Sequence, residues 1–464
     1  MPYQDTIAYL DSFINYEKKT RYPYKGSFKL ERVKGFLESI GDPHAGVKCI
    51  HVAGTKGKGS VCALAAYMLR QMGYSVGLYT SPHLCDVRER LRVLRPGSST
   101  AGVSGGDALD FEGQISEQDL TRITEQLRPA IISYCKSSAY GPLSFIEVYT
   151  ALAFQYFKEQ AVGYAVLETG LGGRLDATNV VVPSVTGITS ISYDHMNKLG
   201  NTLSDIAAEK AGIIKSTTPP QVVISAPQED SARAVILRRC SEQGACLYEV
   251  GRDINYRPVS SSRMGQTFEV SGIFGSFDDL RISLLGEHQL INAAVAFGLA
   301  AQAQKQSGRS VALETLRAGL RNTRWPGRCE TVSEHPWIIL DGAHNEASAA
   351  ALAQTLGSFT GQRSIILVLG ASKDKDAQGI CKHLAPLAKK CIVTKADNPR
   401  AKPTSDIAAM LSEYMAQTQI VQAQNVHEAL KIAGSSAVSD DLIVVTGSLF
   451  IVGEAREVLK GKNP

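Results

Sequence analysis

Apolar residues along the chain follow two alternating rhythms. Ile7, Leu10, Phe13 and Ile14 fall on one helical face, as do Leu30, Val33, Leu37 and Ile40, a helix stopped by Gly41-Asp42-Pro43. The β-branched run VKCIHVA (47–53) predicts a buried strand, 58–72 a helix closed by Gly73, and SVGLYT (75–80) a second strand. Ser116 with Asp119 signals the start of a helix reaching about residue 136. A helix over 146–160, strands over 163–168 and 185–191, and a helix over 203–215 follow. Residues 266–285 read as β-rich and 290–305 as helical. After RWPGRCE (324–330) the rhythm restarts. WIILD, SIILVLG, CIVTKA and DLIVVTG read as strands among helices near 346–357, 377–389, 404–417 and 449–460. Such alternation predicts an α/β fold whose parallel sheets carry helices on both faces, divided near Pro326. The stretch 95–114, rich in Gly and Ser, reads as a flexible surface loop.

Composition narrows the function. The 464 residues, 44% hydrophobic and 20% charged, supply two or three globular domains. A net charge of +4 without an arginine-rich run argues against a nucleic-acid binder. Nine cysteines, an odd number with no C-x-x-C pair, read as reduced thiols in a cytoplasmic protein. MPYQDTIAYLDSF lacks the apolar core of a signal peptide, and no run is long enough to span a membrane.

The chemistry lies at strand ends. HVAGTKGKGS (51–60) joins a strand to a helix, where glycine N–H groups and the helix N-terminus favour polyphosphate. It departs from G-x-x-x-x-G-K-[ST], because Gly59 separates Lys58 from Ser60. Lys58 adds a point charge, and Ser60 can donate to phosphate or ligate a metal. The bland alternative is a glycine turn without a ligand. In YAVLETGLGGRLDATN (164–179) the strand ends in Glu168, where a nucleotide-binding sheet places a metal-holding acid. Here the alternative is a tight turn.

Asp194 and His195 follow another strand; His195 is either a divalent-ion ligand or a capping or packing histidine. In the next helix Leu203, Ile206, Lys210 and Ile213 share a face, so Lys210 interrupts an apolar stripe. Burial lowers an amine's pKa. A neutral Lys210 can pair with a carboxylate, act as a base, or capture carbon dioxide as an anionic carbamate; otherwise it snorkels outward. Asp341, His344 and Asn345 lie between a strand and a helix, with Asn345 a possible N-cap, and Arg328 can reach phosphate across a cleft.

HVAGTKGKGS, YTSPHL (79–84), LETGLGGRLDATNVV, YDHMNKLGNTLSDIAAEKAGIIK, WPGRCE, DGAHN and GSLFIVGE (447–454) occur in one order along the chain. On these stretches the chain resembles the folylpolyglutamate synthase and dihydrofolate synthase family of the Mur ligase superfamily. The resemblance implies a ligase adding L-glutamate to dihydropteroate, to folates, or to both, with ATP and two Mg2+ ions, assisted by K+. It implies an N-terminal P-loop nucleotide-binding and pterin-binding domain (1–325) with a small β-rich part, and a smaller Rossmann-like C-terminal domain (326–464).

Residue by residue, the resemblance implies that Gly57, Lys58, Gly59, Ser60, Asn292, Arg328 and Asp341 hold ATP. Ser81 and Glu168 would ligate one metal ion, and His195 with carbamylated Lys210 a second. Ser144, Phe145, Ile146, Glu147, Leu175, Asp176 and Ala177 would face the pterin, and His344 and Ser448 the incoming glutamate. Lys58, Lys210, Asp341 and His344 would serve catalysis, in a monomer acting on small molecules, without nucleic acid or membrane partners. Lys56 stands where the family usually has Asn, an added cation beside the phosphates, and Thr169 where it usually has Val or Ile. The other readings are a nucleotide-gated binding protein and a cell-wall Mur ligase.

Overall fold

Strand β1 (Cys49–Ala53) is buried along its whole length: parallel strands lie on both of its sides and helices cover both faces. It belongs to a computed structural model that describes residues 1–19, 22–97, 111–308, 312–359 and 363–461. The other strands of its sheet are β2 (Val76–Tyr79), β3 (Leu91–Leu94), β4 (Tyr164–Glu168), β5 (Val185–Ile188), β6 (Val222–Ser225) and β7 (Cys246–Glu249). Their spatial order is β3-β2-β4-β1-β5-β6-β7, and all neighbours are parallel except β2 and β3. The turns after β1, β2, β4 and β5 therefore leave the same edge, the usual ligand edge of an open α/β sheet.

Helices cover both faces. Lys58–Gln71 packs with Glu287–Gln306 and Leu313–Asn322 against one face. Phe145–Glu159 and Glu117–Ser137 build the core on the other. An antiparallel sheet of β8 (Ile254–Ser262), β9 (Gly265–Gly272) and β10 (Gly275–Ile282) packs beside the helix Glu287–Gln306.

A second α/β layer holds β11 (Glu330–Glu334), β12 (Trp337–Leu340), β13 (Ile365–Leu369), β14 (Ala388–Val393), β15 (Ile420–Gln422) and β16 (Leu442–Thr446). Their order is β11-β12-β16-β13-β14-β15, parallel apart from the edge pair β11 and β12. The α/β class, the β-rich segment and the restart of the pattern after 330 match the sequence.

Several boundaries differ. Ile14 lies beyond the helix Tyr3–Asp11 and bridges to Ser144. The predicted helix 203–215 ends at Ala211, and 377–389 ends at Leu384, where Pro386 sits in a short 3-10 turn before β14. The predicted helix 404–417 ends at Leu411. Between 216 and 265 the sequence suggests no element, yet β6, a helix Asp230–Gln243, β7 and β8 lie there. The edge strand β7 buries one residue and carries no alternation, whereas the helix buries Ala232, Val235, Ile236 and Cys240 on one face, a rhythm present in the sequence.

Most of the predicted 95–114 loop lies outside the described residues; Gln114, within them, bridges to Arg92. All nine cysteines are free. Among the described residues no helix is long and apolar enough to cross a membrane.

Candidate active site

Gly57 forms the N-cap of the helix Lys58–Gln71 at φ 85°. No other side chain fits there. The backbone is left-handed, and a Cβ would overlap the Asn292 amide. A Cβ on Gly59 would stand 2.6 Å from Trp325 Cζ2 and 3.4 Å from Glu168 Oε2. Neighbouring groups thus close tightly on the turn, while the first N–H groups of the helix lack partners within it. With Lys58 and the buried Ser60, this is a ready anion seat. Asn292, itself buried, donates to Gln289 Oε1 across 2.9 Å and keeps its amide against Gly57.

Glu168 closes β4 and is buried. Its carboxylate accepts the Ser81 N–H at 3.1 Å and has no ion pair among the described residues. Burial pushes the carboxyl up, opposed by Lys58. Asp176, also buried, accepts from the N–H groups of Gly170, Leu171 and Thr178, which shapes the glycine turn. Ser81 joins the same corner: a Cβ on Gly170 would stand 3.5 Å from Ser81 Oγ and 3.4 Å from Asp176 Oδ2.

Lys210 is the group the apolar stripe singles out, and Ile206 and Ile213 are buried with it. Its Nζ donates to the Gly54 carbonyl at 2.6 Å and forms no ion pair among the described residues. Burial drives this amine well below its ordinary pKa, and nearby Lys58 adds to the effect.

Lys56, expected as an added cation beside the phosphates, is instead committed to Asp194: Nζ lies 2.7 Å from Oδ2. Lys375 stands 3.7 Å from Oδ1, and Asn345 Nδ2 donates to Oδ2 at 3.4 Å. Burial alone would raise the Asp194 pKa, but Lys56, His195 and Lys375 outweigh it and hold the carboxyl far below its ordinary value. His195, at φ 50°, caps the short helix Met196–Leu199, and its side chain is 41% exposed.

The second layer supplies the opposite wall. Asp341 accepts from the N–H groups of Cys329 at 2.8 Å and Ala343 at 2.9 Å, beside Arg328. The His344 ring meets the Gly342 carbonyl through Nδ1 at 2.8 Å, which makes Nδ1 the donor and leaves Nε2 as acceptor. Burial, then Lys56 and Lys375, pull its pKa down to about 3. Ser448 is buried and caps the helix Leu449–Leu459. Asn345 accepts the Ser348 N–H at 3.0 Å, the N-cap that the sequence suggested.

The residues expected on the pterin side split into two groups. Leu175, Asp176 and Ala177 follow the glycine turn of β4. Ser144 starts the helix Phe145–Glu159, and its N–H donates to Glu147 at 2.7 Å. The buried Glu147 carboxylate is also paired with Arg32 at 2.8 Å. Phe145 stacks with Tyr149 under the guanidinium of Arg90, and Ile146 is partly buried beside them.

Sequence reasoning missed Arg32, Arg90, Trp325 and Lys375 as members of this region. Trp325 and Lys375 lie in stretches next to strand ends, a usable signal. Arg32 and Arg90 pair across long sequence separations and leave none.

Comparison with known proteins places the chain in a family. The Mur ligase middle domain matches residues 145–300, and the glutamate ligase domain of Mur ligases matches 327–449. The dihydrofolate synthase/folylpolyglutamate synthase of Bacillus subtilis (strain 168) is 35% identical over 434 residues, covering 93% of this chain and 95% of the relative. The chain belongs to the folylpolyglutamate synthase/dihydrofolate synthase family. Members of this family are Mur ligases, and the protein is an ATP-dependent amino-acid ligase. A Mycobacterium tuberculosis folylpolyglutamate synthase complexed with ADP superposes with a TM-score of 0.87 at 30% identity, covering 100% of this chain and 99% of that one. A solved FPGS–AMPPCP–folate complex gives 0.78 at 29% identity, covering 99% of this chain and 100% of that one.

Proposed function

We propose that the protein joins L-glutamate to the carboxylate of dihydropteroate and of reduced folates, serving as both dihydrofolate synthase and folylpolyglutamate synthase. The observation that carries this reading is the pairing of an anion seat at Gly57–Ser60 with a buried carboxylate, Glu168, that has no ion pair among the described residues, at the adjacent strand end.

A carboxylate resists attack by an amine because oxide is a poor leaving group. The carboxylate oxygen takes the γ-phosphoryl group as the β–γ bridging P–O bond of ATP breaks, giving ADP and an acyl phosphate from which phosphate can leave. Lys58 and the backbone donors of the helix N-terminus offset the charge on the transferring group. Asn292, Arg328 and Asp341 hold the nucleotide, with Arg328 and Asp341 on the far wall. Ser144–Glu147 and Leu175–Ala177 border the pterin. His344 and Ser448 orient the glutamate, whose neutral amine attacks the acyl carbon; the C–O bond to phosphate breaks, and the amine's proton leaves with phosphate.

Mg2+ fits this donor set. Glu168 and Ser81 would hold one ion, and His195 with Lys210 as a carbamate the other. The carbamate turns a buried amine with no ion pair among the described residues into an anionic ligand. When bound, the ions neutralise phosphate charge, with K+ in an assisting role. Residues 1–325 form the phosphate and folate unit and 326–464 the glutamate unit, in a cytoplasmic monomer.

The test is phosphate release from ATP with L-glutamate, using 7,8-dihydropteroate and tetrahydrofolate separately, with mass spectrometry for one added glutamyl unit. Turnover with both supports the reading. Turnover with one restricts the activity, and none in ATP-binding protein overturns it.

A further inference from the structure

Leu84 belongs by chain position to the first sheet, in the turn after β2, yet its partly buried side chain packs against the core of the second. It packs on the cluster that includes Ile338 and Leu340 of β12, Val445 of β16 and Val452 of the helix Leu449–Leu459. A Cβ on Gly327 would meet Leu84 Cδ2 at 3.0 Å and Val452 Cγ1 at 3.3 Å. A Cβ on Gly453 would collide with the Leu84 carbonyl oxygen, so only glycine lets that helix approach so closely. The adjoining Cys85 thiol points to the Gly453 carbonyl at 3.6 Å.

The turn that carries Leu84 is stiff. The buried Glu89 carboxylate accepts three backbone N–H groups, from Leu84 at 2.7 Å, Cys85 at 2.8 Å and Asp86 at 2.6 Å. Three residues before Leu84, the Ser81 N–H is bound to Glu168. On the other side of the contact, Gly327 precedes Arg328, and the helix that holds Val452 and Gly453 begins at its cap Ser448. One leucine thus touches segments that carry Ser81, Arg328 and Ser448.

We propose that Leu84 is a positioning residue for ligation, a rigid peg that fixes the Ser81–Glu168 corner relative to Arg328 and Ser448. It touches no substrate. It sets the distance between the wall that transfers phosphate and the wall that delivers the amine. The inference rests on the ligase reading above.

The experiment is steady-state kinetics of full-length Leu84→Ala, Leu84→Met and Gly453→Ala, well below each melting midpoint. Misalignment by about an ångström is enough to lower kcat at least about tenfold in L84A and G453A. L84M refills the contact and should keep kcat within about twofold of wild type. A merely structural role would lower the melting midpoint and leave the kcat of the folded enzyme unchanged. Folded L84A and G453A with wild-type kcat would overturn the proposal. If L84A does not fold, Leu84→Val, a smaller cut in the same core, is read in its place. Wild-type enzyme without turnover would instead overturn the ligase reading.

Discussion

Lys210 donates to the carbonyl of Gly54 across 2.6 Å, which ties the helix Leu203–Ala211 to the turn that begins the anion seat. The amine is buried, with only a neutral partner, and a neutral amine in such a place can react with carbon dioxide. Lys210→Ala should reduce phosphate release at least about 100-fold, the scale of losing one charge-stabilising group in an active site. Added short-chain carboxylate should restore part of it. Full activity in the variant would remove Lys210 from the mechanism, and native mass spectrometry for an added 44 Da checks the carbamate separately.

Gly57→Ala should impair nucleotide binding first. The left-handed backbone costs about 1–3 kcal/mol with a side chain, before the overlap with Asn292 is relieved. Calorimetric titration with ATP should show Kd rising at least about tenfold, which corresponds to about 1.4 kcal/mol.

Glu147 separates folding from substrate binding. Its carboxylate is buried against Arg32 at 2.8 Å. Glu147→Gln leaves that guanidinium uncompensated and should destabilise the fold by about 3–5 kcal/mol in urea titrations. The Michaelis constant for dihydropteroate in the same variant tests the pterin-side role: a rise would support it, and an unchanged value would make Glu147 purely structural.

His51 makes the protein acid-sensitive. It is buried on β1, with Nε2 2.8 Å from Thr178 Oγ1 and Nδ1 unpartnered. Burial, then Lys215, pull its pKa from 6.5 down to about 3. Between these values the unfolded chain binds a proton that the folded chain refuses. Stability is therefore level above pH 6.5 and declines as the pH falls toward about 3. At pH 5 the loss should be about 2 kcal/mol from this group alone. His51→Gln should flatten the curve of unfolding free energy against pH by that amount, and an unchanged slope would contradict the assignment.

The proposed phosphate and metal site is legible in the sequence because its signals are local. Gly57, Lys58 and Ser60 sit within one strand-turn-helix, Glu168 ends an apolar run, and Lys210 breaks an apolar stripe. Each signal is contained in a few neighbouring residues. The Lys56–Asp194–Lys375 group is not legible, because its members lie far apart in sequence and nothing in their local pattern marks the pairing. The same holds for Arg32 with Glu147. Leu84 reads as an ordinary apolar residue in a turn until the second sheet is placed beside it. Between 216 and 265 only the edge strands β7 and β8 stay hidden for a different reason, since each buries one side chain; the helix Asp230–Gln243, with Ala232, Val235, Ile236 and Cys240 buried on one face, and the fully buried β6 do leave a pattern.

The central placement of β1, with β4 on one side and β5 on the other, has a consequence for how such ligases diversify. The turns that bear Lys58, Glu168 and His195 spring from three adjacent strands, each fixed by a neighbour's hydrogen-bond ladder. Their spacing is inherited from the sheet and owes little to loop sequence. On the proposed reading, carboxylate activation is thereby held as a fixed cassette. The loops around it can drift, and with them the choice of acid and amine, while the phosphate chemistry stays in tune.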